Sequence, residues 1–111
     1  MIDSFLQSKL SEISEVCQAN NVERLYAFGS IVDGRFILGK SDIDMMVEFD
    51  SKRFSKKENS KYLLKLWIEL QSILESKVDL ITNKNIEGEY FKKYLNLYKE
   101  LIYERKKEAV N

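Results

Sequence analysis

Two aspartates, Asp42 and Asp44, stand two residues apart at the head of an otherwise apolar run, Ile43-Asp44-Met45-Met46-Val47. Residues i and i+2 of an extended strand point to the same side, so this spacing sets two carboxylates next to each other. Like charges on one strand face repel and weaken a purely structural strand, and aspartate is disfavoured in strands. The pattern makes sense if a cation sits between them, and hard divalent ions such as Mg²⁺ take oxygen ligands of this kind. Upstream, the apolar run Leu25 to Phe28 halts at Gly29-Ser30. An abrupt strand-to-helix turn there exposes unpaired backbone N–H groups and suits a phosphate. Together the two stretches read as a metal-dependent phosphate site.

Histidine is absent from the 111 residues, which removes Ser-His-Asp and Cys-His catalysis and the commonest zinc ligand. Chemistry must rest on carboxylates, hydroxyls, lysines or a hard metal. The 18 basic and 18 acidic side chains cancel, so general nucleic-acid coating is not expected and phosphate recognition should be local. One cysteine, Cys17, allows no internal disulfide and points to a reducing compartment. It lies on an apolar helical stripe and reads as a core residue. With no long apolar span and no basic-then-apolar leader, the expectation is a cytoplasmic protein without membrane contact.

The length predicts one domain, residues 1–111, of the α/β (α+β) class, with a small mixed sheet of three or more strands flanked by helices. Apolar periodicity predicts helices over 3–19, 61–76 and 89–107, and strands over 22–28, 42–49 and 77–81. Ser30 is expected to cap a short helical turn over 31–33 closed by Gly34, and 35–40 and 50–59 are expected to be loops. Tyr62, Leu64 and Ile68 widen the apolar surface of the second long helix, which suggests either deep burial or contact with a partner chain, and Leu97 lies off the core face of the last helix.

Gly29-Ser30, Gly34, Ser41-Asp42-Ile43-Asp44-Met45-Met46-Val47 and the later Val78-Asp79-Leu80 together resemble the pattern of the DNA-polymerase-β-type nucleotidyltransferase superfamily, above all its minimal nucleotidyltransferase branch. The similarity runs from about Val22 to Ile81. Eleven residues separate Ser30 from Asp42, one more than the family pattern, and Asp33 stands where an arginine is common, with Arg35 as a substitute across Gly34. The resemblance implies that Asp42, Asp44 and Asp79 are catalytic and hold two Mg²⁺ ions. It also implies that Gly29, Ser30, Ser41 and Arg35 contact the phosphates of ATP. Minimal members of this family resemble antitoxins paired with helical HEPN ribonuclease toxins, so the implied activity is AMP transfer from ATP to a tyrosine of such a partner, in a homo- or hetero-oligomer. The alternatives are a non-enzymatic antitoxin that masks the toxin, and a nucleotidyltransferase acting on a small molecule or an RNA end.

Overall fold

The computed structural model describes residues 2–50, 55–84 and 86–106. In chain order these form α1 (Ser4–Ser8), α2 (Leu10–Ala19), β1 (Val22–Phe28), α3 (Ser30–Asp33), β2 (Ile43–Phe49), α4 (Lys56–Leu74), β3 (Val78–Thr82), α5 (Glu89–Tyr98) and β4 (Glu100–Glu104). The four strands lie in the order β3-β2-β1-β4. β1 pairs antiparallel with β2 and β4, and β2 pairs parallel with β3. A parallel pair cannot be joined by a hairpin, and α4 supplies the crossover. The mixed α/β sheet expected from the sequence is therefore present, with one strand more than the three predicted individually.

Strand alternation divides the side chains between two cores. Ile43, Met45 and Val47 face one side, where Leu25, Ala27, Leu66, Leu70 and Leu74 complete a cluster with α1 and α2. Cys17 is fully buried in it, and burial pushes its thiol up to about 12, so it is an inert core residue as expected. The opposite face carries a smaller cluster of Phe28, Met46 and Leu95, with Tyr26, Ile81, Ile86 and Tyr94 packed around it. That face is roofed by α5.

Several predicted boundaries are corrected. The helix expected over 3–19 breaks at Lys9. The Ser8 hydroxyl donates to the Phe5 carbonyl at 2.6 Å, and the Lys9 N–H turns instead to Leu6, three residues back. A serine bonded to the preceding turn competes with the backbone in this way. α4 begins at Lys56 rather than at 61, because Ser55 and Glu58 form a capping box: the Ser55 hydroxyl accepts from the Glu58 N–H at 3.2 Å. Of the loop expected over 50–59, residues 56–59 are thus helical, and 51–54 lie outside the described residues. β2 starts one residue later than expected, leaving Asp42 just ahead of the strand, and β3 runs over 78–82.

The largest correction concerns the last helix, which ends at Tyr98 instead of running to 107. Glu100–Glu104 turns back as an edge strand on β1, with Leu101 opposite Tyr26 and Tyr103 opposite Leu25. The Leu-Ile-Tyr run fits helical spacing and strand alternation equally well, and the open edge of β1 decides between them. Arg105 consequently ties the sheet together instead of ending a helix. It pairs with Glu23 Oε2 at 2.6 Å and with Asp50 Oδ2 at 2.9 Å.

Between β1 and α3 the chain makes its tightest turn. Gly29 has φ +75° and ψ −147°, a combination open essentially to glycine alone. Its Cα also lies so close to Asp44 that an added Cβ would run into the carboxylate oxygen Oδ2. Both the dihedrals and the contact forbid a side chain. Gly29→Ala is therefore expected to destabilise the fold by about 1–3 kcal/mol, measured by urea denaturation. An unchanged midpoint would contradict the constraint.

Candidate active site

The candidate site forms where three strands end in register. Phe28 of β1 is opposite Asp44 of β2, and Asp44 is beside Asp79 of β3. Neighbouring residues at paired positions project to the same sheet face, so the row reads Phe28, Asp44, Asp79. The face is the one roofed by α5, and Met46, two residues beyond Asp44, is already under the smaller core. The two carboxyls thus sit where the apolar roof gives way to solvent.

Burial, then the charges of Asp79 and Asp42, push the Asp44 carboxyl up to about 6. Asp42 is exposed and pairs with Lys77 at 3.6 Å. Lys77 was not expected from the sequence as a member of this group. The parallel register places it there, since the Ile43 N–H donates to the Lys77 carbonyl at 2.9 Å. No local sequence pattern marks it, because its place depends on β3 being the neighbour of β2.

Three carboxylates meeting at one sheet end suit a hard cation by their chemistry. The raised Asp44 carboxyl is consistent with this, since its excess negative charge is what a bound cation would relieve. Among the described residues, however, no three of these groups stand close enough to make a ready-formed metal cluster. Asp42 is held towards Lys77, while Asp44 and Asp79 stand at paired positions of β2 and β3.

Gly29 and Ser30 open the turn above this row. Ser30 is the first residue of α3 and not its cap; Gly29 occupies the cap position and no side chain bonds the helix end. The expected role of Ser30 as an N-cap is therefore corrected, because the helical turn starts one residue earlier than expected, with the Val32 and Asp33 N–H groups donating to the Gly29 carbonyl. Gly34 closes α3 in the left-handed conformation, with φ +90°, as expected.

Arg35 does not extend freely towards the carboxylates. Its guanidinium grips Asp33, with Nε and Nη2 donating to Oδ2 at 2.9 and 2.6 Å. Asp33, which stands before Gly34, thus occupies the arginine on its other side. Ser41 Oγ accepts from the Ile37 N–H at 2.9 Å and closes the loop that delivers Asp42. Phe91 of α5 meets Phe28 edge-to-face, with ring centroids 5.9 Å apart, and stacks on Tyr94. These rings form an aromatic wall beside the carboxylates.

The chain matches the family described as polymerase beta, nucleotidyltransferase, over residues 11–108. It is similar to MJ1379 of Methanocaldococcus jannaschii, whose name assigns it protein adenylyltransferase activity, with 39% identity over 102 residues covering 85% of this chain and 96% of the relative. Two solved structures share the fold. One is a toxin–antitoxin complex with AMP-PNP (TM-score 0.65, 20% identity, 86% of this chain and 73% of that one). The other is a tri-AMPylated HEPN toxin of Shewanella oneidensis with its MNT antitoxin (TM-score 0.54, 19% identity, 89% and 72%). The carboxylate pair set side by side at the strand ends, the glycine pressed against it and a family match along nearly the whole chain lead to one assignment: this protein belongs to the polymerase beta nucleotidyltransferase family and is a nucleotidyltransferase.

Proposed function

We propose that the protein transfers AMP from ATP to a tyrosine hydroxyl of a HEPN-type toxin, in a Mg²⁺-dependent reaction, and so acts as its antitoxin. The observation that carries this reading is the Asp44–Asp79 pair, aligned across parallel strands beneath the glycine turn. The similarity to a named protein adenylyltransferase supports the choice of a protein acceptor, and the fold shared with antitoxins of HEPN complexes supports the choice of partner.

Asp42, Asp44 and Asp79 would hold two Mg²⁺ ions, which supply charge neutralisation at the triphosphate and acidify the attacking hydroxyl. Gly29 and Ser30 would present the first turn of α3 to the β- and γ-phosphates. Asp79, exposed at the rim, orients the acceptor hydroxyl. The tyrosine oxygen attacks the α-phosphorus, the bond from that phosphorus to the α–β bridging oxygen breaks, and pyrophosphate departs as the phosphodiester to tyrosine forms. Ser41 would act by holding the loop that carries Asp42. Arg35 would contribute to phosphate binding only after release from Asp33.

The charge crowding at Asp44 has a consequence for stability. Its folded carboxyl lies near 6 against an ordinary 3.8, so between these values the folded state binds more protons than the unfolded one. Stability conferred by the proton is present below about pH 4 and is lost as pH rises through about 6. Removing the charge should then help the metal-free protein. With solvent screening of this partly exposed group discounted, Asp44→Asn is expected to stabilise it by about 1 kcal/mol at pH 7.5 and by little at pH 4. Added Mg²⁺ should raise the melting temperature of the wild type but not of Asp44→Asn. A variant less stable than the wild type at pH 7.5 would contradict the account.

Transfer itself is read by intact mass. A HEPN toxin incubated with the protein, ATP and Mg²⁺ is expected to gain one or more AMP-sized increments, localised to tyrosine by peptide sequencing. Asp42→Asn and Asp44→Asn should reduce transfer at least about 100-fold while still folding. A toxin that is bound and silenced with no change in mass would favour masking; turnover on a small molecule or RNA end with no protein modified would favour the third reading.

A further inference from the structure

The pairing of β2 and β3 continues one step past the carboxylate row. Asp44 stands beside Asp79 and Ile43 beside Val78, so the position beside Asp42 is that of Lys77. Ile43 and Val78 are buried in the main core, and strand alternation therefore sets Asp42, Asp44, Lys77 and Asp79 on the other side. From the interior to the rim, that side carries Met46 with Ile81, then Asp44 with Asp79, then Asp42 with Lys77. The three carboxyls thus share two adjacent rows with one ammonium. A positive charge is built into the place beside Asp42.

The root of Lys77 is anchored and its head is not. Before it, the Ser76 hydroxyl donates to the Leu74 carbonyl at 3.0 Å. After it, the Val78 N–H donates to Gln71 Oε1 at 3.1 Å, and the Val78 carbonyl accepts from Trp67 Nε1 at 2.7 Å. The Lys77 carbonyl itself accepts from the Ile43 N–H at 2.9 Å. Both neighbours are tied to the end of α4 and the residue between them to β2, which fixes where the side chain starts. The ammonium, on a flexible four-carbon stem, reaches Asp42 Oδ2 at 3.6 Å, with the two side chains 67% and 44% exposed. An exposed pair of this length is weak and opens readily. The charge is kept near Asp42 without being locked onto it.

Towards a divalent cation at these carboxylates, Lys77 acts in two ways. It engages the Asp42 oxygen that the ion needs, and its anchored root keeps a like charge close to the bound ion. Both effects weaken metal binding. We propose that Lys77 is a tethered counter-cation of the carboxylate site, which neutralises Asp42 in the metal-free protein and sets the affinity for the divalent ion by competing with it there. Lys77 acts through Asp42 and is a positioning residue. The inference rests on the divalent site of the proposed function, and its measurement uses the metal alone, with neither nucleotide nor toxin.

Mg²⁺ titrated into the full chain at constant ionic strength, with the melting temperature as readout, gives an apparent dissociation constant. Lys77→Met, which keeps an unbranched stem and removes the charge, is expected to lower that constant at least about 3-fold. Lys77→Arg, which keeps the charge, should leave it within about 2-fold of the wild type. Lys92→Met, which removes an exposed lysine of α5 that pairs with Glu89, controls for net charge and should also leave it within about 2-fold. A lysine with a merely structural role would shift the melting temperature equally with and without Mg²⁺ and leave the constant unchanged. An unchanged constant in Lys77→Met therefore overturns the proposal while the metal site stands. Tightening by Lys92→Met as large as that by Lys77→Met overturns it as well, since the effect is then one of net charge. Absence of Mg²⁺ binding in both the wild type and Lys77→Met overturns it together with the metal-dependent reading.

Discussion

The repulsion between Asp44 and Asp79 is the constraint around which the fold is arranged. β2 and β3 are parallel and in register at this pair, so the carboxyls cannot escape each other by a one-residue slip. Such a slip would carry Ile43, Met45 and Val47 out of the main core and expose them. The buried face thus holds the charged pair together, and the adjacent turn keeps them from spreading, because Gly29 lies directly against Asp44. The crowding shows in the Asp44 carboxyl, which burial and the charges of Asp79 and Asp42 push up to about 6. Hydrophobic burial on one face of the sheet therefore supports electrostatic strain on the other, the arrangement expected where stability is given up for chemistry.

The sheet separates these two tasks. On the side of α2 and α4 the strands contribute fully buried aliphatic residues, and this layer provides most of the stability. On the side of α5 the core is small, consisting of Phe28, Met46 and Leu95 with partly buried aromatic neighbours. α5 itself leaves Tyr90 91%, Leu97 74% and Tyr98 59% exposed. A helix packed so lightly leaves an apolar and aromatic surface open beside the carboxylates, and aromatic side chains of this kind are enriched at protein interfaces. The aromatic wall of Phe91 and Tyr94 continues from that surface to Phe28 and so to the carboxylates.

Much of this was legible in the sequence, and the failures have physical causes. The Gly-Ser turn, the Asp-x-Asp strand and the Val-Asp-Leu strand all appear where spacing placed them, because glycine and paired acids inside apolar runs leave few alternatives. β4 was missed since residues 100–104 satisfy both periods, and only the unpaired edge of β1, a tertiary fact, selects the strand. The extra turns of α4 were announced by Ser55 and Glu58 but obscured by the basic run between them. Lys77 was invisible for a different reason: its proximity to Asp42 follows from which strand neighbours β2, and no local pattern carries that.

Asp33 and Lys77 each engage a charged residue of the candidate site, Asp33 with Arg35 and Lys77 with Asp42. Both pairs are exposed, so each contributes little to stability and is readily exchanged. On the function proposed above, an incoming triphosphate would compete with Asp33 for the guanidinium, and a cation would compete with Lys77 for the carboxylate. The two exchanges would favour each other: a cation near Asp42 would draw the phosphates in, and phosphates near Lys77 would offer it a replacement for its lost partner. On that reading the ion pairs would satisfy the empty site and give way together when nucleotide and metal arrive.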